Sequence, residues 1–245
     1  MLTWLQRRRQ AVEQELVTIE ERRYLSPLFY AHYKVLLPII HQHARGRFID
    51  LGCGSAPFWV AVVGQVTRYD GVDLWPRSTR ATLAGDVQSL TMLPDAIYDS
   101  AICIEVLEHV PEPAKAVATI ARILKPGGVV VISVPHLSRL HDLPHDYYRY
   151  TEYGLRYLLA QAGLEVTSIQ PKGGLLTFLV HQLSTLLLGV AWSLPPVKDA
   201  LLFVNKWLFA LGAFYLDRVL GIDKSFPQGY IVVAQKPMHA SEANG

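Results

Sequence analysis

The stretch Arg47-Phe-Ile-Asp-Leu-Gly-Cys-Gly-Ser-Ala-Pro57 constrains the fold more than any other part of the chain. Phe48, Ile49 and Leu51 suit a buried parallel strand. Gly52 and Gly54 let the backbone take positive φ and let a ligand come close. Ser55 can cap a following helix, and Pro57 suits its first turn. The stretch therefore predicts a strand, a glycine turn that offers N–H groups to a ligand, and a helix start, with the acidic Asp50 beneath the turn. A dinucleotide fingerprint would carry a third glycine where Pro57 stands, which weakens that assignment.

Downstream, a helix Phe58–Val66 is expected, then a second strand ending at Tyr69-Asp-Gly-Val-Asp73. Asp73 falls about 20 residues past the turn, where a carboxylate can accept hydrogen bonds from both ribose hydroxyls of a nucleoside. Gly85-Asp86-Val87 precedes a strand over Tyr98–Ile104, which runs into Glu105-Val-Leu-Glu-His-Val110. An amphipathic helix over Ala114–Leu124 is closed by the turn Lys125-Pro-Gly-Gly128, and Val129–Val134 reads as a buried strand.

From Asp50 to Val134 these motifs, in this order and spacing, resemble the class I S-adenosylmethionine (SAM)-dependent methyltransferases, with a type 11 (UbiE/UbiG-like) core. The resemblance implies an α/β fold, a Rossmann-like seven-stranded sheet, with SAM as cofactor and S-adenosylhomocysteine as product. It implies that Asp50, Gly52, Cys53 and Gly54 hold the amino-acid end of SAM and that Asp73 and Leu74 meet the ribose. Asp86 and Val87 would meet the adenine, and Ile104 and Glu105 would lie beside the cofactor near the acceptor. Ala56 stands where this family often has another glycine, a departure expected to tighten the turn without closing it.

The segment His136–Thr151 would follow the fifth strand, at the carboxyl edge where substrates sit. His141, His145, Asp146 and Tyr147 are candidates there for orienting the acceptor or moving its proton, and His109 is a further candidate base. The five- and four-residue spacings of His136, His141 and His145 fit no compact metal site, so no metal is expected. Arg149-Tyr-Thr151 leads into a helix, Glu152–Gln161, and reads as architectural. A sixth strand follows over Leu164–Ile169, and the last is Gly229–Lys236.

Between those two strands lies an insert with no charged residue from Gly173 to Val197. Its apolar runs predict a helical hairpin: one arm ends near Trp192, Pro195-Pro196 turns the chain, and the second arm runs over Leu201–Leu220. Trp192, Trp207 and Tyr215 are candidate interfacial aromatics, while His181-Gln182 and Asn205-Lys206 interrupt the two arms. The chain divides accordingly: N-terminal cofactor-covering helices at 1–45, the SAM-binding core at 46–171 and 222–237, the apolar hairpin at 172–221, and a polar tail at 238–245. The first of the covering helices is expected over residues 3–24 and the second over Leu28–His43.

A chain that is 51% hydrophobic and 18% charged, with a mean hydropathy of +0.21, permits a large core and apolar surface besides. A net charge of +2 with no basic stripe argues against nucleic acid. Two cysteines in core elements and no apolar leader after Arg7–Arg9 fit a cytoplasmic protein. The expected function is methyl transfer to an oxygen, nitrogen or carbon of a lipid-like or lipid-linked acceptor. The protein would sit peripherally or monotopically at the inner face of the plasma membrane. The alternatives are a soluble small-metabolite methyltransferase, whose hairpin is a lid or homodimer interface, and a SAM-binding membrane scaffold without activity of its own.

Overall fold

The computed structural model describes Tyr24 and residues 26–76, 78–191 and 195–238. Apart from Tyr24, the helix expected over residues 3–24 lies outside them, as do Trp192 and the tail beyond Met238. The chain forms two compact units, one from Leu36–Gln170 with the segment from Gly229 onward, the other from the chain before Leu36 with Pro171–Gln228. Helix α1 (Pro27–His43) begins in the second and ends in the first.

The first unit is built on seven strands: β1 (Gly46–Leu51), β2 (Val66–Asp73), β3 (Leu83–Ala84), β4 (Tyr98–Ile104), β5 (Leu124–Pro135), β6 (Glu165–Pro171) and β7 (Gly229–Gln235). They lie in the order β3-β2-β1-β4-β5-β7-β6. β1 pairs in parallel with β2 and β4, and β4 with β5, whereas β7 runs antiparallel to β5. The order reverses between β1 and β4. In an open α/β sheet the crevice at the carboxyl ends of such strands is where a ligand binds. β1 from Phe48 onward and most of β4 are buried, as befits strands covered on both faces.

Helix α2 is shorter than expected, Trp59–Val62. Gly64 and the β-branched Val66 and Thr67 favour extended backbone, so β2 starts where the helix was expected to continue. Lys125–Gly128 is a bulge inside β5 and not a free turn. Tyr98 pairs with Leu124 but Ser100 with Val129, and Gly127 takes a φ of 75° to absorb the surplus residues. Helix α3 (Pro113–Ile123) starts on a proline and turns Ala116, Val117, Ile120 and Ile123 into the core. Burial of each larger side chain contributes ~1.5–3 kcal/mol. Thr151 caps α4 (Glu152–Gln161), its hydroxyl accepting from Gly154 N–H.

The chain between β6 and β7 is helical: α5 (Leu175–Ala191), α6 (Pro195–Val204), a wide π-turn segment (Asn205–Gly212), α7 (Ala213–Val219) and α8 (Ile222–Ser225). The second arm starts at Pro195, ahead of the expected Leu201, because Pro-Pro is compatible with a helix's first turn and so opens the helix. α5 packs against α6, the π segment and α7. Asp217 of α7 is fully buried at the start of α5. Its carboxylate accepts from the N–H groups of Gly174, Leu176 and Thr177 and from the Thr177 hydroxyl, at 2.7–3.1 Å. It thereby fills the role of a cap for donors that a helix start leaves unmatched.

The polar residues that interrupt the two arms meet other polar groups. His181 Nδ1 is hydrogen-bonded to the Ser26 hydroxyl at 2.9 Å. Ser184 donates to Asn205 Oδ1, and Asn205 Nδ2 donates to the Tyr24 carbonyl at 2.6 Å. Asn205 also opens the π segment, a helix form that lets a side chain reach a partner outside the regular ladder. Most of the outward residues are apolar: Leu179, Leu183, Leu186 and Val190 on α5, and Phe203, Trp207, Leu208, Tyr215, Leu216 and Val219 on the second arm, with Gln182, Asp199 and Arg218 exposed among them. Asp199–Val219 is long and apolar enough to cross a membrane by length and composition, and Leu175–Val190 is shorter.

Candidate active site

The carboxyl edge of the sheet collects the residues that the sequence singled out. The register sets Leu51 beside both Val72 and Cys103, so the turn after β1 stands between the ends of β2 and β4. Gly52 has a φ of 74° and Gly54 a φ of 53°. A Cβ on Gly52 would run into Val106, whereas none would meet anything within 4 Å at Gly54. The first glycine is thus required by the fold, and the second leaves room for a ligand. Asp73 fixes the turn from the side: its carboxylate accepts from the N–H groups of Gly54 and Trp75, each at 2.8 Å. Each oxygen keeps a lone pair for a ribose hydroxyl.

Asp50 is 2% exposed beneath the turn and accepts the Tyr69 hydroxyl at 2.8 Å. Burial, offset in part by that hydrogen bond and reinforced by the Asp73 charge, pushes its carboxyl up to about 7. Burial and the same two carboxylates push the Cys53 thiol up to about 12, so Cys53 is present as an inert thiol and its backbone is the part available to a ligand. Ala56 has a φ of 56°, the left-handed geometry for which glycine is the usual choice. Leu74 is exposed beyond the end of β2, and Val87 is buried. Asp86 accepts the backbone and side-chain N–H groups of Gln88 at 2.8–3.1 Å, so Gln88 shares the carboxylate proposed for adenine. Glu105 follows Ile104 off β4 with a φ of 54°, and the Ser133 hydroxyl donates to its Oε1 at 2.7 Å. A non-glycine residue in that geometry at a ligand edge marks a constrained, positioned side chain.

The segment after β5 folds back on the chain that follows β4. Tyr147 and Tyr148 N–H groups donate to the Glu108 carbonyl, the Tyr148 hydroxyl to Pro111 O, and the buried Tyr150 hydroxyl to Leu107 O at 2.8 Å. Glu108 and His109 lie in a single 3-10 turn, Leu107–His109. Docking of the segment brings His141 beside them: the two imidazoles stack edge-on with centroids 4.7 Å apart.

The sequence candidates separate into two groups. His109, His141 and Asp146 lie together. Asp146 is gripped by the Arg149 fork at 2.6 and 2.7 Å and accepts His141 N–H at 2.9 Å. That fork holds its carboxyl down at about 2, so Asp146 anchors the loop and does not take up a proton near neutrality. His145 and Tyr147 form an exposed pair, Nδ1 and hydroxyl 2.8 Å apart. Glu108 is the residue that sequence reasoning left out of the site. It is fully buried, yet its Oε1 lies 3.7 Å from His109 Nε2 and 3.9 Å from His141 Nε2. The adjacent Glu108-His109 pair was the available signal, but its third member arrives only through the tyrosine contacts.

Fold and edge together define a class: a reversed α/β sheet with an antiparallel last strand, and a glycine turn tied to the Asp73 carboxylate at the end of β2. A family model described as a methyltransferase domain matches residues 22–169. The chain belongs to this family of SAM-dependent methyltransferases. It is 30% identical over 166 residues to a Burkholderia thailandensis protein named ubiquinone biosynthesis O-methyltransferase, covering 53% of this chain and 69% of that one. A protein of the same name from Burkholderia multivorans is 36% identical over 110 residues, or 38% and 46% of the two chains. The match thus spans a little under half the length of that relative. Among solved structures, a SAM dependent methyltransferase from Archaeoglobus fulgidus superposes with a TM-score of 0.53 at 18% identity, over 84% of this chain and 92% of the other. The 4+2 cyclase SpnF superposes at 0.55 and 18%, over 83% and 80%. These likenesses carry the fold, and one fold supports several reactions.

Proposed function

We propose that the protein transfers the SAM methyl group to a hydroxyl oxygen of a lipid-like, quinone-type acceptor at the cytoplasmic face of a membrane. One observation carries the reading. The glycine turn, Asp73 and Glu105 converge at the switch point of the sheet, and the segment after β5 sets polar side chains beside the chain that follows β4. Asp50, Gly52, Gly54, Asp73 and Asp86 hold SAM, and Glu105 lies towards the acceptor. The relatives named above are O-methyltransferases of ubiquinone biosynthesis by name, which supports oxygen and a quinone-type ring.

In the reaction the acceptor O–H gives up its proton and the oxygen forms a bond to the methyl carbon. The S–CH3 bond breaks with its electron pair going to sulfur, so the cationic sulfonium becomes a neutral thioether. In-line displacement of this kind rewards positioning above all. A candidate proton acceptor is His109 or His141, with Asp146 fixing the loop that presents His141. The outward apolar residues of α5 and of the second arm support docking into a lipid surface.

The reading is tested with a dihydroxybenzene carrying a short isoprenoid tail. Purified protein and SAM should convert it to a mono-O-methyl product identified by mass spectrometry. Asp73→Ala should raise the KM for SAM at least tenfold, the effect of losing roughly 1.5 kcal/mol of hydrogen bonding to the ribose. An unchanged KM for SAM in that variant would remove Asp73 from the site.

A further inference from the structure

We infer that Gln88 is a positioning residue for the base of the methyl donor. It holds the Asp86 carboxylate in the orientation that accepts a purine amino group and turns away an oxo group. The inference rests on the proposed role of Asp86 as a partner of SAM, and adds the residue that makes that carboxylate selective.

Gly85-Asp86-Val87-Gln88 leaves the short strand β3 in a tight turn. Ser89 N–H donates to the Asp86 carbonyl and Gln88 N–H to Asp86 Oδ1, each at 2.9 Å. Aspartate closes turns of this kind with its own side chain. The Gln88 side chain then folds back, and its Nε2 donates to Asp86 Oδ1 at 3.1 Å and to Oδ2 at 2.8 Å. At the other end of the amide, Oε1 accepts Glu112 N–H at 3.0 Å, directly ahead of α3. A carboxylate accepts and an N–H donates, so the two partners fix which way the amide points.

The rest of the loop has its own attachments to α3. The Thr119 hydroxyl donates to the Gln88 carbonyl at 3.2 Å, and the Arg122 guanidinium to the carbonyls of Leu90 and Leu93 at 2.7 and 2.8 Å. Val87 and Leu90 are buried, and a Cβ on Gly85 would run into the side chains of Leu90 and Met92. The backbone of the loop is therefore seated without help from the Gln88 side chain, whose bonds to Asp86 act on the carboxylate itself.

A carboxylate offers about four acceptor sites. Among the described residues Gln88 fills three of them, two on Oδ1 and one on Oδ2, so the remaining site lies on Oδ2. An adenine amino group can donate one N–H there. Hypoxanthine carries a carbonyl at the same ring position, and its oxygen would face a carboxylate oxygen with no proton between them. Such a mismatch excludes a ligand only if the carboxylate cannot turn away, and the terminal torsion of aspartate is soft. Gln88 removes that freedom.

The test uses full-length protein and two ligands, S-adenosylhomocysteine and its inosine counterpart, in which an oxo group replaces the amino group. Calorimetry gives the ratio of their affinities, and circular dichroism checks folding. The wild type should prefer the adenine form by about tenfold or more, the worth of one hydrogen bond to a charged group. In Gln88→Ala the ratio should fall to within about threefold of parity, because the carboxylate is released. Gln88→Glu keeps an acceptor for Glu112 N–H but has no donor for Asp86. It should lose the preference too, and it decides the matter if Gln88→Ala fails to fold. Thr119→Val removes only an attachment of the loop and should keep the wild-type ratio.

A residue that merely stapled the loop to α3 would weaken both ligands alike. An unchanged ratio in the Gln88 variants, with the preference lost in Asp86→Ala, would overturn the inference and leave Asp86 as the partner of adenine. A ratio lowered as far in Thr119→Val as in Gln88→Ala would also overturn it. A preference that survives in Asp86→Ala would remove Asp86 from the base and the inference with it, while binding of S-adenosylhomocysteine would still uphold the methyltransferase reading.

Discussion

At the residue scale two aspartates of the candidate site stand in opposite environments. Asp50 is buried with a carboxyl near 7, while Asp146 is clamped by Arg149 at about 2. For an acid whose folded pKa is raised, ionisation is what folding disfavours, so the cost grows as pH rises from the unfolded value of about 4 to about 7 and is constant above. A cationic ligand reverses that preference. If the α-ammonium of SAM binds near Asp50, affinity should rise by up to tenfold per unit between pH 5.5 and 7. Asp50→Asn should flatten the profile in SAM titrations, and a flat profile in the wild type would place the amino-acid end of SAM elsewhere. A second prediction concerns Tyr150, whose hydroxyl holds the Leu107 carbonyl at 2.8 Å. Tyr150→Phe should cost ~1–2 kcal/mol in chemical denaturation, and it should loosen His141 relative to His109. Unchanged stability would show that the hydroxyl adds nothing to docking of the segment.

The positions of Asp50, the glycines, Asp73 and Glu105 at the ends of β1, β2 and β4 could be read from sequence because each is defined by its own few neighbours. A turn that must follow a strand leaves little choice of residue. The Glu108–His141 approach could not be read that way. It depends on Tyr147, Tyr148 and Tyr150 laying one loop along another, and no local spacing records that.

At the element scale, strands were legible and their junctions less so. β4 and α4 span the residues expected of them, Tyr98–Ile104 and Glu152–Gln161. By contrast, the apolar residues around α2 fit either period until Gly64 interrupts them, so the helix is shorter than the expected Phe58–Val66. Pro195-Pro196 turns the chain and also opens the second arm, since proline suits a helix's first turn. Asp217 shows the same limit: in sequence it is one acid among apolar residues, and in the fold it closes the start of α5. Asp217→Ala should destabilise the helical unit by about 3 kcal/mol, since several buried donors lose their acceptor at once. Asp217→Asn, which keeps one acceptor oxygen, should fall between. Urea unfolding followed by circular dichroism measures both, and wild-type stability in the alanine variant would deny the carboxylate this role.

At the scale of the whole molecule, the outward apolar residues of the helical arms and the carboxyl-edge site are the two features a function has to use. If the arms dock into lipid, Trp207→Glu and Leu208→Glu should each weaken flotation with anionic vesicles about tenfold, given the ~1.5–3 kcal/mol released when such a side chain leaves water. Circular dichroism would confirm that the variants remain folded. Flotation equal to that of the wild type would assign the arms to a lid or to a second copy of the chain. The most direct test of the account is transfer itself. Purified protein is incubated with SAM labelled on its methyl group and a total membrane extract, and the label is partitioned between organic and aqueous phases. The account predicts label in the organic phase, carried by an O-methyl ether and absent with Asp73→Ala. Label confined to the aqueous phase would contradict a lipid-like acceptor.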